Sequence, residues 1–225
     1  MTEKEIHKYI VRLNNLKPVK TIFKRKISPT VEIAKVWKNR PKRSDKIQTD
    51  FRPYFFFFIK NERQEYIGAV YDMEDNLHWY VLPKYRKKGY LTKALKEAII
   101  PYIFDYRRED SKIQISISAS ESSYSDSVNV AKSLNFKQVD QCGLTFELHE
   151  NDFDFSNSKL IVENQKMSKD HMEELVKNFQ FHYRSLLMIS NELEMTFDYE
   201  TLSEHLSNIK YCSCHIDDLY NNQLN

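Results

Sequence analysis

Two periods of apolar residues alternate along this chain, and the changes of period mark out its elements. Near the start, Ile6, Tyr9, Ile10, Leu13 and Leu16 fall at helical spacing and Thr2 with Glu5 forms a capping box, which predicts an amphipathic helix over 2–16. Ser28 followed by Pro29 carries a helix-start signal, and Ile33, Val36 and Trp37 continue it, so a second short helix is expected to end before Pro41. The texture then turns to short aromatic and β-branched runs. Residues 54–60 (YFFFFIK), 65–72 (EYIGAVYD) and 76–82 (NLHWYVL), separated by NER and MED turns, predict an antiparallel meander. The four successive Phe of the first run predict a strand covered on both faces.

Helical spacing returns in Leu91, Ala94, Leu95, Ala98, Ile99, Tyr102 and Ile103, with Pro101 as an expected kink. Residues 112–119 alternate as a strand, 125–134 form a short helix, and 136–148 supply two strands turning near Gly143. The order βββαβαββ is that of an α/β (α+β) domain, a mixed, mostly antiparallel central sheet flanked by helices. From about 151 onward only the helical period remains. Met172, Leu175, Val176, Phe179, Tyr183, Leu186, Leu187 and Leu193 mark one helix, and Leu202, Leu206, Ile209, Ile216 and Leu219 a second, separated near 196–199. The expected organisation is a domain over 1–150, with N-terminal helices in 1–46 and its core in 53–148, and a helical hairpin extension over 151–225.

Composition adds limits. The chain has 225 residues and 41% hydrophobic content, enough for a real core. Three cysteines, Cys142, Cys212 and Cys214, make no disulfide framework and fit a reducing compartment. With no secretory pattern at the N-terminus and no apolar run long enough for a bilayer, a cytoplasmic protein without membrane attachment is expected. Cys212, Cys214 and His215 lack a second ligand pair, so no metal is expected. The net charge of +2 hides a segregation: residues 17–46 carry eleven Lys and Arg against two acids, whereas 150–225 carry fourteen acids against six basic residues. A chain with its own acidic complement is not expected to take nucleic acid as a partner. The hairpin's apolar stripes need a cover. Docking on the chain's own N-terminal region is the favoured expectation, and a homodimer through the C-terminal helices the alternative.

Candidate chemistry concentrates in residues 81–95, VLPKYRKKGYLTKAL, where a strand passes through a turn directly into a helix. A helix N-terminus presents unpaired N–H groups and the positive end of the macrodipole, and so suits an anion. Gly89 permits a close backbone approach, Lys87 and Lys88 add positive charge, and Thr92 offers a hydroxyl in the first turn.

This run resembles motif A of the Gcn5-related N-acetyltransferases, with Arg86, Gly89 and Leu91 at its three marked positions, Leu91 standing where the family has a small residue. Residues 124–136, YSDSVNVAKSLNF, resemble motif B: Ser127, Val128, Val130, Ala131, Leu134 and Phe136 fit, Tyr124 replaces the initial Asn, and Asn135 replaces Gly. The resemblance covers roughly 53–148 and implies a sheet that splays between the strand ending near Val81 and the strand over 112–119. It implies acetyl-CoA as co-substrate, with pantetheine pairing to backbone near Val81 and pyrophosphate on the amides from Lys87 to Thr92; Val81, Leu82, Arg86, Lys87, Lys88, Gly89, Tyr90, Leu91, Thr92 and Ser127 are the cofactor-binding candidates. An acetyl group would pass directly to a primary amine whose identity these motifs do not encode. In many members a tyrosine five residues before the motif B phenylalanine protonates the leaving thiolate; here that position is Ala131, and Tyr124 is the substitute candidate. His78, Tyr80 and Glu121 are the candidates for the base. A non-catalytic acyl-CoA-binding or protein-interaction module on the same fold is the alternative that Ala131 supports.

Overall fold

The computed structural model describes residues 1–15, 20–46, 52–107, 111–117, 124–140, 142, 144–161, 167–210 and 212–222. Leu16, Ala119, Glu121, Gly143 and the side chain of Cys214 lie outside the described residues. The chain divides into two compact units, Met1–Glu163 and Asn164–Asn225. The first is a mixed α/β unit with a five-stranded antiparallel sheet, a smaller three-stranded sheet and flanking helices.

The first helix, α1 (Glu3–Asn14), begins on the expected capping box: Glu5 N donates to Thr2 Oγ1 at 3.3 Å and Thr2 N donates to Glu5 Oε2 at 2.9 Å. The helix expected after Ser28 does not form. In its place β1 (Ile22–Lys26) and β2 (Val31–Val36) make an antiparallel hairpin. Ser28 does accept backbone N–H bonds, from Thr30 at 3.3 Å and Val31 at 3.0 Å, but it closes the hairpin turn with them instead of capping a helix. β3 (Tyr54–Lys60), β4 (Tyr66–Asp72) and β5 (Leu77–Val81) complete the sheet in sequence order, as the meander predicts. Phe56, Phe57 and Phe58 are all 0% exposed. Phe56 and Phe58 pack with Ile6, Tyr9 and Ile10 of α1, and Phe57 packs on the other side with Leu95, Ile99 and Ile103.

That second cover is a continuous helical run built from α2 (Tyr90–Ala94), a π-helical stretch (Leu95–Ile99) and α3 (Ile100–Tyr106). Just before Pro101, where a kink is expected, the run carries this widened turn, in which Ile100 N donates to Leu95 O. Pro101 has no N–H, so the carbonyl four residues earlier, Glu97 O, lacks its α-helical donor. Lys159 N donates to it at 2.7 Å, and Lys159 Nζ reaches Glu97 Oε1, also at 2.7 Å. Ile161 N then bonds Ile27 O at 2.9 Å, so residues 158–161 strap the helix to the β1–β2 hairpin.

The second sheet has the order β6-β8-β7, from β6 (Lys112–Ser116), β7 (Lys137–Gln138) and β8 (Thr145–His149). Between β6 and β7 lies α4 (Tyr124–Ser133). It closes through Asn135 at φ 65° with Phe136 N donating to Ala131 O at 3.1 Å, a Schellman ending in which Asn takes the usual Gly position. β5 and β6 are adjacent edges of different sheets, so the strand order breaks between them.

The second unit contains α5 (Lys169–Phe197), α6 (Thr201–Lys210) and α7 (Cys212–Asn221), with α5 packed on both shorter helices. Ser168 caps α5, and Asp198 ends it in a left-handed conformation at φ 53°. Both α6 and α7 lie in the stretch expected as the second helix, from Leu202 to Leu219, and Tyr211 between them lies outside the described residues.

Candidate functional site

Where β5 ends, the chain makes a 3₁₀ turn (Pro83–Tyr85) and then the loop that leads into α2. Two tyrosines fix this loop to the β3–β4 turn: Tyr85 OH donates to Glu65 Oε2 at 2.7 Å and Tyr90 OH to Glu62 Oε2 at 3.0 Å. Lys87 at φ 58° and Gly89 at φ 77° are both left-handed. For Gly89 that conformation carries little cost; for Lys87 it is a strain that the surrounding packing must hold. A Cβ added at Gly89 would meet nothing within 4 Å, so the space in front of this amide is open.

A cleft of about 250 Å³ lies between this loop and α4. Trp79, Tyr80 and Val81 form its base, Tyr85 to Thr92 one wall, and Asp126, Ser127, Asn129 and Val130 the other, with Glu3 at the rim. Trp79 Nε1 donates to Ser127 Oγ at 3.2 Å and ties base to wall. Arg86, Lys87 and Lys88 make the mouth basic; Lys87 faces Asp126 at 3.5 Å in an exposed pair that contributes little energy.

The register explains what the base offers a ligand. Ala69 pairs with Tyr80 and Gly68 with Val81, and Leu82 N donates to Ile67 O at 2.9 Å. By the antiparallel alternation, Tyr80 spends its backbone groups on β4 while Trp79 and Val81 turn theirs outward, toward the break between the sheets. Arg86 Nε donates to Val81 O at 2.9 Å, so the outward carbonyl already holds a donor from the loop.

Of the residues expected to act here, Tyr80, Val81, Arg86, Lys87, Lys88, Gly89, Tyr90, Leu91, Thr92 and Ser127 line the cleft. Leu82 packs instead on the α1 side of the sheet. Tyr124 packs against the core at the start of α4 and lines neither this cleft nor the smaller cavity beside it. His78 lines that smaller cavity, which shares Trp79 and Ser127 with the cleft. Tyr80 OH lies 3.0 Å from His7 Nδ1 of α1, and burial raises its pKa, so it keeps its proton. Glu3, His7, Trp79, Asp126 and Asn129 carry no sequence signal for this place. Only the position of Ser127 on α4 pointed to the wall that Asp126 and Asn129 share.

No family model matches this chain, and no curated protein matches it in sequence. Among solved structures, variant forms of the spermidine/spermine N-acetyltransferase of Vibrio cholerae are similar over 67% of this chain and 92% of that one, at 13% identity and a TM-score of 0.33. Among the described residues no helix is long and apolar enough to cross a membrane.

Proposed function

We propose that this chain is an acetyl-CoA-dependent N-acyltransferase that moves an acetyl group directly to a primary amine. One observation carries the reading: the cleft joins a basic, glycine-opened turn at the start of a helical run to the outward-facing backbone of β5. The two halves suit the two halves of one ligand. A pyrophosphate needs N–H groups, positive charge and close approach, which the stretch from Arg86 to Thr92 supplies. A pantetheine arm is a chain of amides that pairs with a free strand edge, which Trp79 and Val81 supply, Arg86 yielding the Val81 carbonyl. When bound, acetyl-CoA brings the activated acyl group; the protein binds, orients and handles protons. Ala131, 0% exposed, leaves no tyrosine at the position many acetyltransferases use. That favours a second reading, an acyl-CoA-binding module without turnover.

Calorimetry tests the ligand. Wild-type protein should bind acetyl-CoA, and Gly89→Glu, which places a side chain and a negative charge in the open space before the amide, should weaken binding at least tenfold. Absence of binding by the wild type overturns the reading. Thiol release across a panel of amines separates enzyme from module.

A further inference from the structure

We infer that His78 is the proton acceptor for the attacking amine, an inference that rests on the acetyl-transfer reading above. Its Nε2 is buried and has no hydrogen-bond partner among the described residues. Leaving a buried polar atom without a partner is costly, so a histidine that served packing alone would be expected to spend it on a bond. His78 borders a cavity of about 20 Å³ between the adjacent edges of β5 and β6, with Trp79, Ser116 and Ser127 also on its wall. That volume holds one water molecule, and Ser127 Oγ and the serine at 116 give it polar neighbours.

Position along the strand supplies the second argument. His78 lies three residues before Val81 on β5, about 10 Å at the rise of a strand. An extended arm that starts at the basic mouth and follows the free edge past Val81 and Trp79 therefore brings its end to the level of His78. Tyr80 is less suited to the role, because its hydroxyl contacts His7 and burial keeps it protonated. Tyr124 lines neither space.

The acceptor ammonium gives one proton, over the water, to His78 Nε2. The freed lone pair attacks the thioester carbonyl, the C–N bond forms, and the C–S bond breaks with its electron pair on sulfur. The imidazolium returns its proton to the thiolate, and the nitrogen's second proton leaves to solvent. Ammonium plus acetyl thioester thus gives amide, thiol and one proton.

The test uses two acceptors that differ in their need for a base. An alkylamine is protonated at neutral pH, whereas hydroxylamine is not. His78→Gln and His78→Ala should bind acetyl-CoA within twofold of wild type by calorimetry. Turnover with an alkylamine panel should fall at least about 100-fold, while turnover with hydroxylamine falls less than fivefold. An equal fall with both acceptors, unchanged alkylamine turnover, or wild-type protein that binds acetyl-CoA but releases thiol with no amine would each overturn the proposal. Failure of the wild type to bind acetyl-CoA strikes the acyltransferase reading itself.

Discussion

Glu32 shows how much one residue's role depends on its neighbours in space. It lies in a stretch dominated by Lys and Arg, and in the fold its carboxylate is 11% exposed on the α1 side of the sheet, 2.5 Å from Lys60 Nζ and 3.0 Å from Lys24 Nζ, with Tyr66 OH donating at 2.6 Å. Burial pushes its pKa up, but the hydrogen bonds from Lys60, Tyr66 and Lys24 outweigh that, and the net shift is downward from 4.5. A depressed carboxylate contributes stability above its unfolded pKa and loses it as the pH falls through the folded one. Glu32→Gln should therefore cost about 2–3 kcal/mol at pH 7, discounted for the partial exposure of Lys24, and urea midpoints should show the gap to wild type narrowing between pH 7 and pH 3. An equal gap at both pH values would contradict the assignment. None of this was legible from the sequence, where Glu32 is one acid in a basic run. Gly89 and Arg86 were legible, because a strand, a turn and a helix start are local grammar. His7 and Glu3 were not, because only tertiary packing brings α1 to the end of β5.

At the scale of elements, the β1–β2 hairpin marks where sequence reasoning ran out. Val31 and Ile33 face one layer and Ala34 and Val36 the other, so β2 is covered on both sides and shows no clean alternation. Ile33, Val36 and Trp37 then mimic a helical stripe, and a serine that accepts from the next N–H groups reads alike in a cap and in a tight turn. The YFFFFIK strand escaped this ambiguity through its aromatic density. The strap on the π-helical turn suggests a sharper experiment. Lys159→Pro removes the N–H that serves Glu97 O and should cost about 1–3 kcal/mol for the unpaired carbonyl. Pro101→Ala restores a helical donor at that carbonyl, so the double variant should recover part of the loss in a urea-denaturation cycle. Strict additivity would show that the two residues do not share the carbonyl.

At the scale of the whole molecule, both apolar clusters of the first unit draw, among the described residues, on positions up to Leu160. A chain of residues 1–163 should thus unfold cooperatively by circular dichroism. A chain ending at Asn151 loses Phe153, Leu160 and the strap, and should have a clearly lower urea midpoint. Equal midpoints would show that the strap is dispensable. The strap also sets an order of events during synthesis. Glu97 and Lys159 are 62 residues apart, so at about 5–20 residues per second the ribosome makes the donor roughly 3–12 s after the acceptor. Loop closure itself takes far less than a millisecond. Translation speed, not chain diffusion, therefore times the moment at which the nascent unit seals its helix, and until then residues 158–161 supply the Glu97 carbonyl no donor.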